Sequence, residues 1–445
     1  MIRHSAYLAY YFLFNQRMYR SIREIRASQH YSPNEYKHKQ KELLTKLLTH
    51  AFSHVPYYKS LTTNIPDTGL TQAPFEVLQS LPILTKEIIR ENDNKLIAPN
   101  LSYRRQENST SGTTGTSMYF LSDKNAGIAK TAYGFVQCDM MKVPMLSKRL
   151  TIWSARFDVD KKVSVMRRFL NKTKNSMLIY ADLSERGLEE MVAIINKYKP
   201  VIISSYPSTL EFIAQAECCS KLTHFPKAII VSGEKLYDYQ RTKINRVFHS
   251  ECFDFYGARD GSMIAHECSA HDGLHVFGQN VLVEVVDDDN KPITEGVGRI
   301  LITDLHNYVM PFIRYEIGDL AEVSPTYLLP CRCGSSVPRI KQIISRTFDI
   351  VRFPNGTAVA GTYWTLLMRS QPGIHKFKVS QKVDGSIEIS FVKNSEFSES
   401  SLRKILNKIS EKGGEQTQIK FQEVTDIPSH PESGKYRFVE SDYHP

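Results

Sequence analysis

Asn108-Ser109-Thr110-Ser111-Gly112-Thr113-Thr114-Gly115-Thr116-Ser117 places two glycines and seven hydroxyl side chains in ten residues, with no large apolar group among them. Such a segment has nothing to pack, so it reads as a loop. Glycine lets backbone N–H groups approach a ligand at positive φ, and the hydroxyls add further donors, a combination suited to phosphate oxygens. A Ser/Thr/Gly linker has the same composition. The Gly-Lys-Ser/Thr ending of a Walker loop is missing, so the rest of the chain must decide between clamp and linker.

Working outward, the periodicity predicts a helix over 34–60, with Leu43, Leu44, Leu47, Leu48 and Phe52 on one face and Pro56 at its exit. Thr85 is placed to cap a short helix with Ile88 and Ile89 inward. Beyond the loop, apolar runs at Arg149–Trp153, 201–203, 228–231 and 252–255 alternate with helical patterns ending near Pro200, Cys218 and Phe248. That alternation means an α/β fold with a mostly parallel sheet covered by helices. The runs 281–286 and 298–302, joined by the polar turn Asp287-Asp288-Asp289-Asn290, predict an antiparallel, β-rich subdomain. A boundary falls near Arg346 and Asp349, which gives a large domain over 1–345 and a small α+β domain over 346–445. In the small domain, a helix over 400–410 should bury Leu402, Ile405, Leu406 and Ile409.

Composition excludes other classes. The chain has 445 residues, 41% of them hydrophobic, enough for a large core, and seven cysteines without an export signal, which point to a reducing, cytoplasmic setting. The net charge of +10 is concentrated at the start, where residues 1–50 carry nine Lys/Arg against three Asp/Glu. No basic run is interleaved with aromatics, so no nucleic-acid partner is expected. The aromatic segment over 6–14 is too short to span a bilayer. With Arg17, Arg20, Arg23 and Arg26 it forms an aromatic-basic arm over 1–30, and the sequence leaves open peripheral membrane contact or docking on the protein's own body. A homodimer is equally compatible with it.

Four later motifs follow the loop in order: Ser232-Gly233-Glu234, Tyr256-Gly257-Ala258-Arg259-Asp260, Arg314-Tyr315-Glu316-Ile317-Gly318-Asp319 and Ser433-Gly434-Lys435. Together with Thr110-Ser111-Gly112-Thr113-Thr114-Gly115 they resemble the adenylate-forming superfamily of acyl-CoA synthetases, luciferases and peptide-synthetase adenylation domains. Val55-Pro56-Tyr57-Tyr58, Leu81-Pro82-Ile83-Leu84-Thr85-Lys86 and Met310-Pro311-Phe312-Ile313-Arg314-Tyr315 narrow the resemblance to phenylacetate–CoA ligase and CapK-like proteins. It covers the chain from about residue 40. The resemblance implies an ATP- and acid-binding domain, a mobile C-terminal lid, and two-step chemistry. A carboxylic acid attacks the α-phosphate of ATP, and an acceptor, coenzyme A or a sugar, amine or carrier, then displaces AMP.

The resemblance also assigns roles. Thr110, Ser111, Gly112, Thr113, Thr114 and Gly115 would clamp phosphates, and Gly233, Glu234, Tyr256 and Gly257 would surround adenine. Asp319 and Arg346 would hold ribose, Asp349 would be the hinge, and Asp260 would hold Mg²⁺. Two anions meet in the reaction, so a cation must bridge them, and Lys435 is the candidate. Tyr206-Pro207-Ser208 is read as a plain turn or a wall of the acid pocket. Three departures stand out: Thr116-Ser117 in place of a lysine or proline, Arg259 in place of a small hydroxyl, and Arg299 where the wider superfamily often has Glu.

Cys268, His275, Cys331 and Cys333 offer three thiolates and an imidazole, a set sufficient for structural Zn²⁺, with ordinary buried thiols as the alternative. His266 and His271 compete for the fourth place. Relatives of the resembling type can bind zinc at the Cys-x-Cys-Gly element.

Overall fold

The computed structural model describes residues 15–61, 67–99, 105–109, 118–153, 175–346, 350–371, 373–414, 416–428 and 436–443. Loop positions 110–117, Asp349 and Lys435 lie outside them.

Asn15 accepts a hydrogen bond from the Met18 amide (3.2 Å) and so starts α1, Gln16–Ser28. Met18, Ile22 and Ile25 form its buried stripe, against Ile128, Ala132, Tyr133 and Val136. Each such side chain contributes about 1.5–3 kcal/mol when buried. This part of the arm therefore spends its apolar face on the protein's own body. Arg17, Arg20 and Arg23 are exposed, and Arg26 pairs with Asp139 at 2.7 Å.

A Ser32/Glu35 capping box opens α2, Pro33–His54, which buries Leu44, Leu47, Leu48 and Phe52. The helix expected over 34–60 is cut at Val55. Pro56 has no N–H to continue it and instead begins a separate turn, Pro56–Lys59. Thr85 caps α3, Lys86–Glu91, through the Ile88 amide, and Ile89 is buried. Strands β1 (Gln106–Ser109) and β2 (Tyr119–Ser122) pair antiparallel on either side of the hydroxyl-rich loop positions. Asp123 then leads into α4, Lys124–Met140.

Five strands form the parallel part of an eight-stranded sheet: β3 (Arg149–Trp153), β4 (Ser176–Tyr180), β5 (Ile202–Ser205), β6 (Ala228–Ser232) and β7 (Glu251–Ala258). Helices α5 (Glu185–Tyr198), α6 (Pro207–Gln215) and α7 (Asp238–Phe248) connect them in turn from β4 onward. Ile202, Ile203, Ile229, Ile230 and Val231 are buried, as continuous apolar runs in a parallel sheet require. Spatially the order is β4-β3-β5-β6-β7, so successive strands leave β3 in opposite directions. The ends of β3 and β5 therefore flank a topological switch point. Past β7 the sheet turns antiparallel through β8 (Ser262–Glu267) and β9 (Leu274–Val276).

The expected β-rich subdomain is present: β10 (Val281–Val286) pairs antiparallel with β11 (Gly296–Asp304), followed by β12 (Tyr315–Val323). Asn290 takes φ +65° in the polar turn. Strand β13 (Arg339–Ile340) returns to pair with β9.

Two compact units emerge, Met1–Ile317 with Ala321–Gln342, and Gly318–Leu320 with Ile343–Pro445. The second starts within β14 (Gln342–Arg346) and holds β15 (Ile350–Arg352), β16 (Ala358–Ala360) and α8 (Gly361–Arg369). Its four-stranded sheet combines β17 (Ile374–Gln381), β18 (Ile387–Lys393), β19 (Ile419–Glu423) and β20 (Val439–Ser441) in the order β19-β18-β17-β20. Helix α9 (Glu399–Gly413) packs Ile405 and Ile409 onto a core centred on Trp364, Phe377 and Val379. Leu406, expected inward, is 41% exposed. At 3.6 residues per turn it stands about 100° from Ile405 and 60° from Ile409, on the rim of the stripe.

Candidate functional site at the carboxyl edge of the parallel sheet

Gly233 follows β6 directly and takes φ +83°, a conformation open to glycine at little cost. The turn brings Glu234 back across the neighbouring connection, where its Oε2 accepts from the Ser208 amide at 3.2 Å. Ser208 sits in the first turn of α6, which Tyr206 precedes as N-cap. A carboxylate there satisfies an orphan helix donor and meets the positive end of the helix dipole. The Tyr206-Pro207-Ser208 piece is thus a helix start at the switch point. Tyr206 is buried and its ring stacks on Trp153 from β3, with centroids 4.2 Å apart and planes at 27°. Sequence reasoning passed over Trp153. An aromatic closing the strand beside the order reversal was the available signal.

On β7, the register against β8 shifts between Tyr256 and Gly257. A bulge re-aims the side chains beyond it, and Tyr256 is buried. Asp260, half-buried past the strand end, accepts from the Tyr315 hydroxyl at 2.6 Å. Gly233, Glu234, Tyr256, Gly257 and Asp260 therefore share one sheet edge within the first unit. Arg259 is exposed and donates from Nη1 to the Ser109 carbonyl at 3.3 Å, at the base of the loop positions. Desolvation lowers the Lys130 pKa, the Asp304 carboxylate opposes that shift, and the Arg259 guanidinium adds to it. Two cations, one from α4 and one from the β7 turn, are thus close enough to repel.

Asp319 and Arg346 meet in the second unit, with Nε 3.5 Å from Oδ1. Arg299 is absorbed by structure: it reaches Glu316 at 3.2 Å and the Asp287 carbonyl at 3.0 Å. Arg314 is buried at φ +50°, donates to the Gln79 and Leu81 carbonyls (3.0 and 2.8 Å), and faces Glu284 at 3.4 Å.

A second cluster gathers Cys268, His275, Cys331 and Cys333, whose ligand atoms all lie within 4.8 Å of one another. Cys331 and Cys333 enter through a tight knuckle in which the Gly334 amide donates to the Cys331 carbonyl at 2.9 Å, with Gly334 at φ +89°. Cys268 Sγ stands 3.8 Å from Cys331 Sγ, and Cys333 Sγ 3.6 Å from His275 Nε2. Tetrahedral zinc, with Zn–S about 2.3 Å and Zn–N about 2.0 Å, sets S···S and S···N edges of about 3.8 and 3.5 Å. Both observed edges fit. Burial holds the His275 pKa down at about 4, so the imidazole is in its neutral, ligating form. His266 and His271 are engaged elsewhere: His266 Nδ1 lies against the Glu267 carbonyl, and His271 Nδ1 is 3.3 Å from the Glu267 carboxylate.

Residues 353–442 match the family described as CapK C-terminal domain. The C-terminal part of the chain is thus similar to CapK C-terminal domains. The chain is 25% identical over 368 residues to Protein CapK of Staphylococcus aureus, which covers 81% of this chain and 80% of that one. Against phenylacetate-coenzyme A ligase of Thermus thermophilus it is 24% identical over 343 residues, 70% of each chain. Among solved structures, 2-hydroxyisobutyryl-CoA ligase in the postadenylation state superposes with a TM-score of 0.71 at 16% identity, covering 91% of this chain and 89% of that one. The anthranilate CoA ligase AuaEII, in complex with anthranoyl-AMP, superposes with a TM-score of 0.54 at 14% identity, covering 74% and 65%. The chain shares its fold with these two CoA ligases. Among the described residues no helix is long and apolar enough to cross a membrane.

Proposed function

We propose that this chain activates a carboxylic acid with ATP, forming an acyl-adenylate and releasing pyrophosphate, and then passes the acyl group to an acceptor, coenzyme A in the first instance. The observation that supports this best is the shared sheet edge, where a positive-φ glycine, a bulged Tyr-Gly and a half-buried aspartate stand together in a fold whose solved examples include acyl-AMP complexes.

Each residue then has a task. Gly233 and Gly257 let backbone approach the adenine, while Tyr256 supplies a ring face. Glu234 keeps the adenine turn tied to α6. Asp260, oriented by Tyr315, would hold Mg²⁺, which offsets charge on the polyphosphate when bound. Asp319 accepts from the ribose hydroxyls, and the Arg346 guanidinium orients its carboxylate. Lys435 bridges the attacking carboxylate and the α-phosphate, and Asp349 is the hinge of the lid. Thr110, Ser111, Gly112, Thr113, Thr114 and Gly115 clamp the phosphates, with Arg259 and Lys130 supplying charge near the loop in place of its missing lysine. Cys268, His275, Cys331 and Cys333 would hold a structural Zn²⁺, which would tie β9 to the 331–334 knuckle. ATP and coenzyme A place this work in the cytoplasm.

The likeness to Protein CapK and the CapK C-terminal domain support a second reading for the acceptor, a sugar, amine or carrier in surface polysaccharide assembly. Pyrophosphate exchange against aryl, fatty and amino acids tests the first half-reaction. Exchange with one acid names the substrate. Tight ATP binding with no exchange for any acid would leave a nucleotide-binding scaffold instead.

A further inference from the structure

The four residues of the cysteine–histidine cluster differ in their access to solvent. Cys268 and Cys331 are 2% and 5% exposed and His275 is fully buried, whereas Cys333 is exposed, as are Arg332 and Gly334 on either side of it. All seven cysteines of the chain lie among the described residues, and Cys333 is the exposed one. An oxidant arriving from solvent meets this sulfur first.

The surroundings make that sulfur reactive and give it a partner. A thiol that ligates zinc is held as the thiolate, which is the nucleophilic form. Two more sulfurs stand behind it: the ligand atoms of the cluster all lie within 4.8 Å of one another, and Ala270 donates its amide to Cys268 Sγ at 3.4 Å, fixing that side chain toward the knuckle. A disulfide needs about 2.05 Å between sulfurs, so roughly 2–3 Å of closure is required. The exposed 332–334 turn is the place where the chain can supply it. An accessible thiolate beside a resolving thiol is the arrangement of oxidation-sensing cysteines.

We propose that Cys333 is an oxidation site through which hydrogen peroxide opens the knuckle and discharges its zinc. The inference rests on the zinc reading given above. Cys333 Sγ attacks one peroxide oxygen, the O–O bond breaks, and a sulfenic acid and hydroxide form. The thiolate of Cys268 or Cys331 then attacks the same sulfur, the S–O bond breaks, a second hydroxide leaves and a disulfide is made. The two thiolates lose the two electrons that the peroxide gains. One thiolate and His275 remain, too few ligands for a tetrahedral site.

Peroxide treatment of the full-length protein, purified without chelator, tests this with a chromogenic chelator reporting free zinc and non-reducing peptide mapping reporting disulfides. About one zinc per chain should be released as two thiols are lost, with Cys333 in the disulfide, and dithiothreitol with added zinc should reverse both. Cys333→His keeps four ligands and should slow release roughly tenfold or more, since the exposed thiolate is gone. Cys219→Ser, outside the cluster, should leave the rate unchanged. Zinc retained under peroxide, a disulfide that lacks Cys333, or an undiminished rate in Cys333→His overturns the proposal, and the wild-type mapping decides it even if that variant binds no zinc. Protein without zinc before peroxide is added fails the zinc reading itself and the inference with it.

Discussion

Asp260 differs from an ordinary surface carboxylate in having one oxygen fixed by a buried tyrosine hydroxyl at 2.6 Å. A hydrogen bond to a charged group is worth about 1.5–3 kcal/mol. Under the proposed function, Tyr315→Phe should raise the KM for Mg·ATP by about tenfold or more in pyrophosphate exchange, since ~1.4 kcal/mol is one decade. Asp260→Asn should cost more, because the carboxylate itself is lost. An unchanged KM in Tyr315→Phe would remove the orienting role. The hydroxyl and the carboxylate lie 55 positions apart, so the motifs named both residues without showing that they touch. Arg259 was legible as a departure, but its reach to Ser109 was not. A long flexible side chain finds its partner only once two chain segments have been brought together.

At the scale of elements, the buried Arg314–Glu284 pair ties the entry of β12 to β10 and to the 79–81 segment. Breaking such a pair from one side leaves a buried charge, at a cost of about 3–5 kcal/mol. Arg314→Leu should therefore lower the unfolding free energy by about that amount in urea titration, whereas Arg299→Leu, at a half-exposed pair, should cost about 1 kcal/mol or less. Burial and the neighbouring Glu267 raise the Asp254 pKa to about 7. Its folded pKa lies above its unfolded value, so its contribution to stability is present below pH ~4 and is lost as pH rises through ~7. The loss is at most roughly 4 kcal/mol. Asp254→Asn should flatten the decline in stability over that interval, and parallel curves for the two proteins would assign the slope to other groups. Metal analysis of protein purified without chelator should find one zinc per chain, abolished in Cys331→Ser together with a lower Tm. Which histidine completes that set was open in the sequence. In the structure His275 stands beside Cys333, while His266 and His271 lie against Glu267.

For the whole molecule, the proposed two-step chemistry predicts separable half-reactions. Lys435→Ala should lose about 10²–10³-fold in pyrophosphate exchange, the size expected for one transition-state donor, while transfer from a supplied acyl-adenylate survives. Equal loss of both would remove the bridging role. The alternation of apolar strands and helices, the antiparallel β10–β11 pair and the helix caps at Ser32 and Thr85 were all legible in the sequence, because periodicity, capping and turn chemistry act over a few residues. The ordered motifs likewise named the residues of the sheet edge. Tertiary structure alone decided that β4 and β5 flank β3, which places Trp153 and Tyr206 at a switch point, and that the α1 stripe is spent on α4. Strand order, burial and unmet hydrogen bonds depend on contacts between segments far apart in the chain, and no local pattern encodes them.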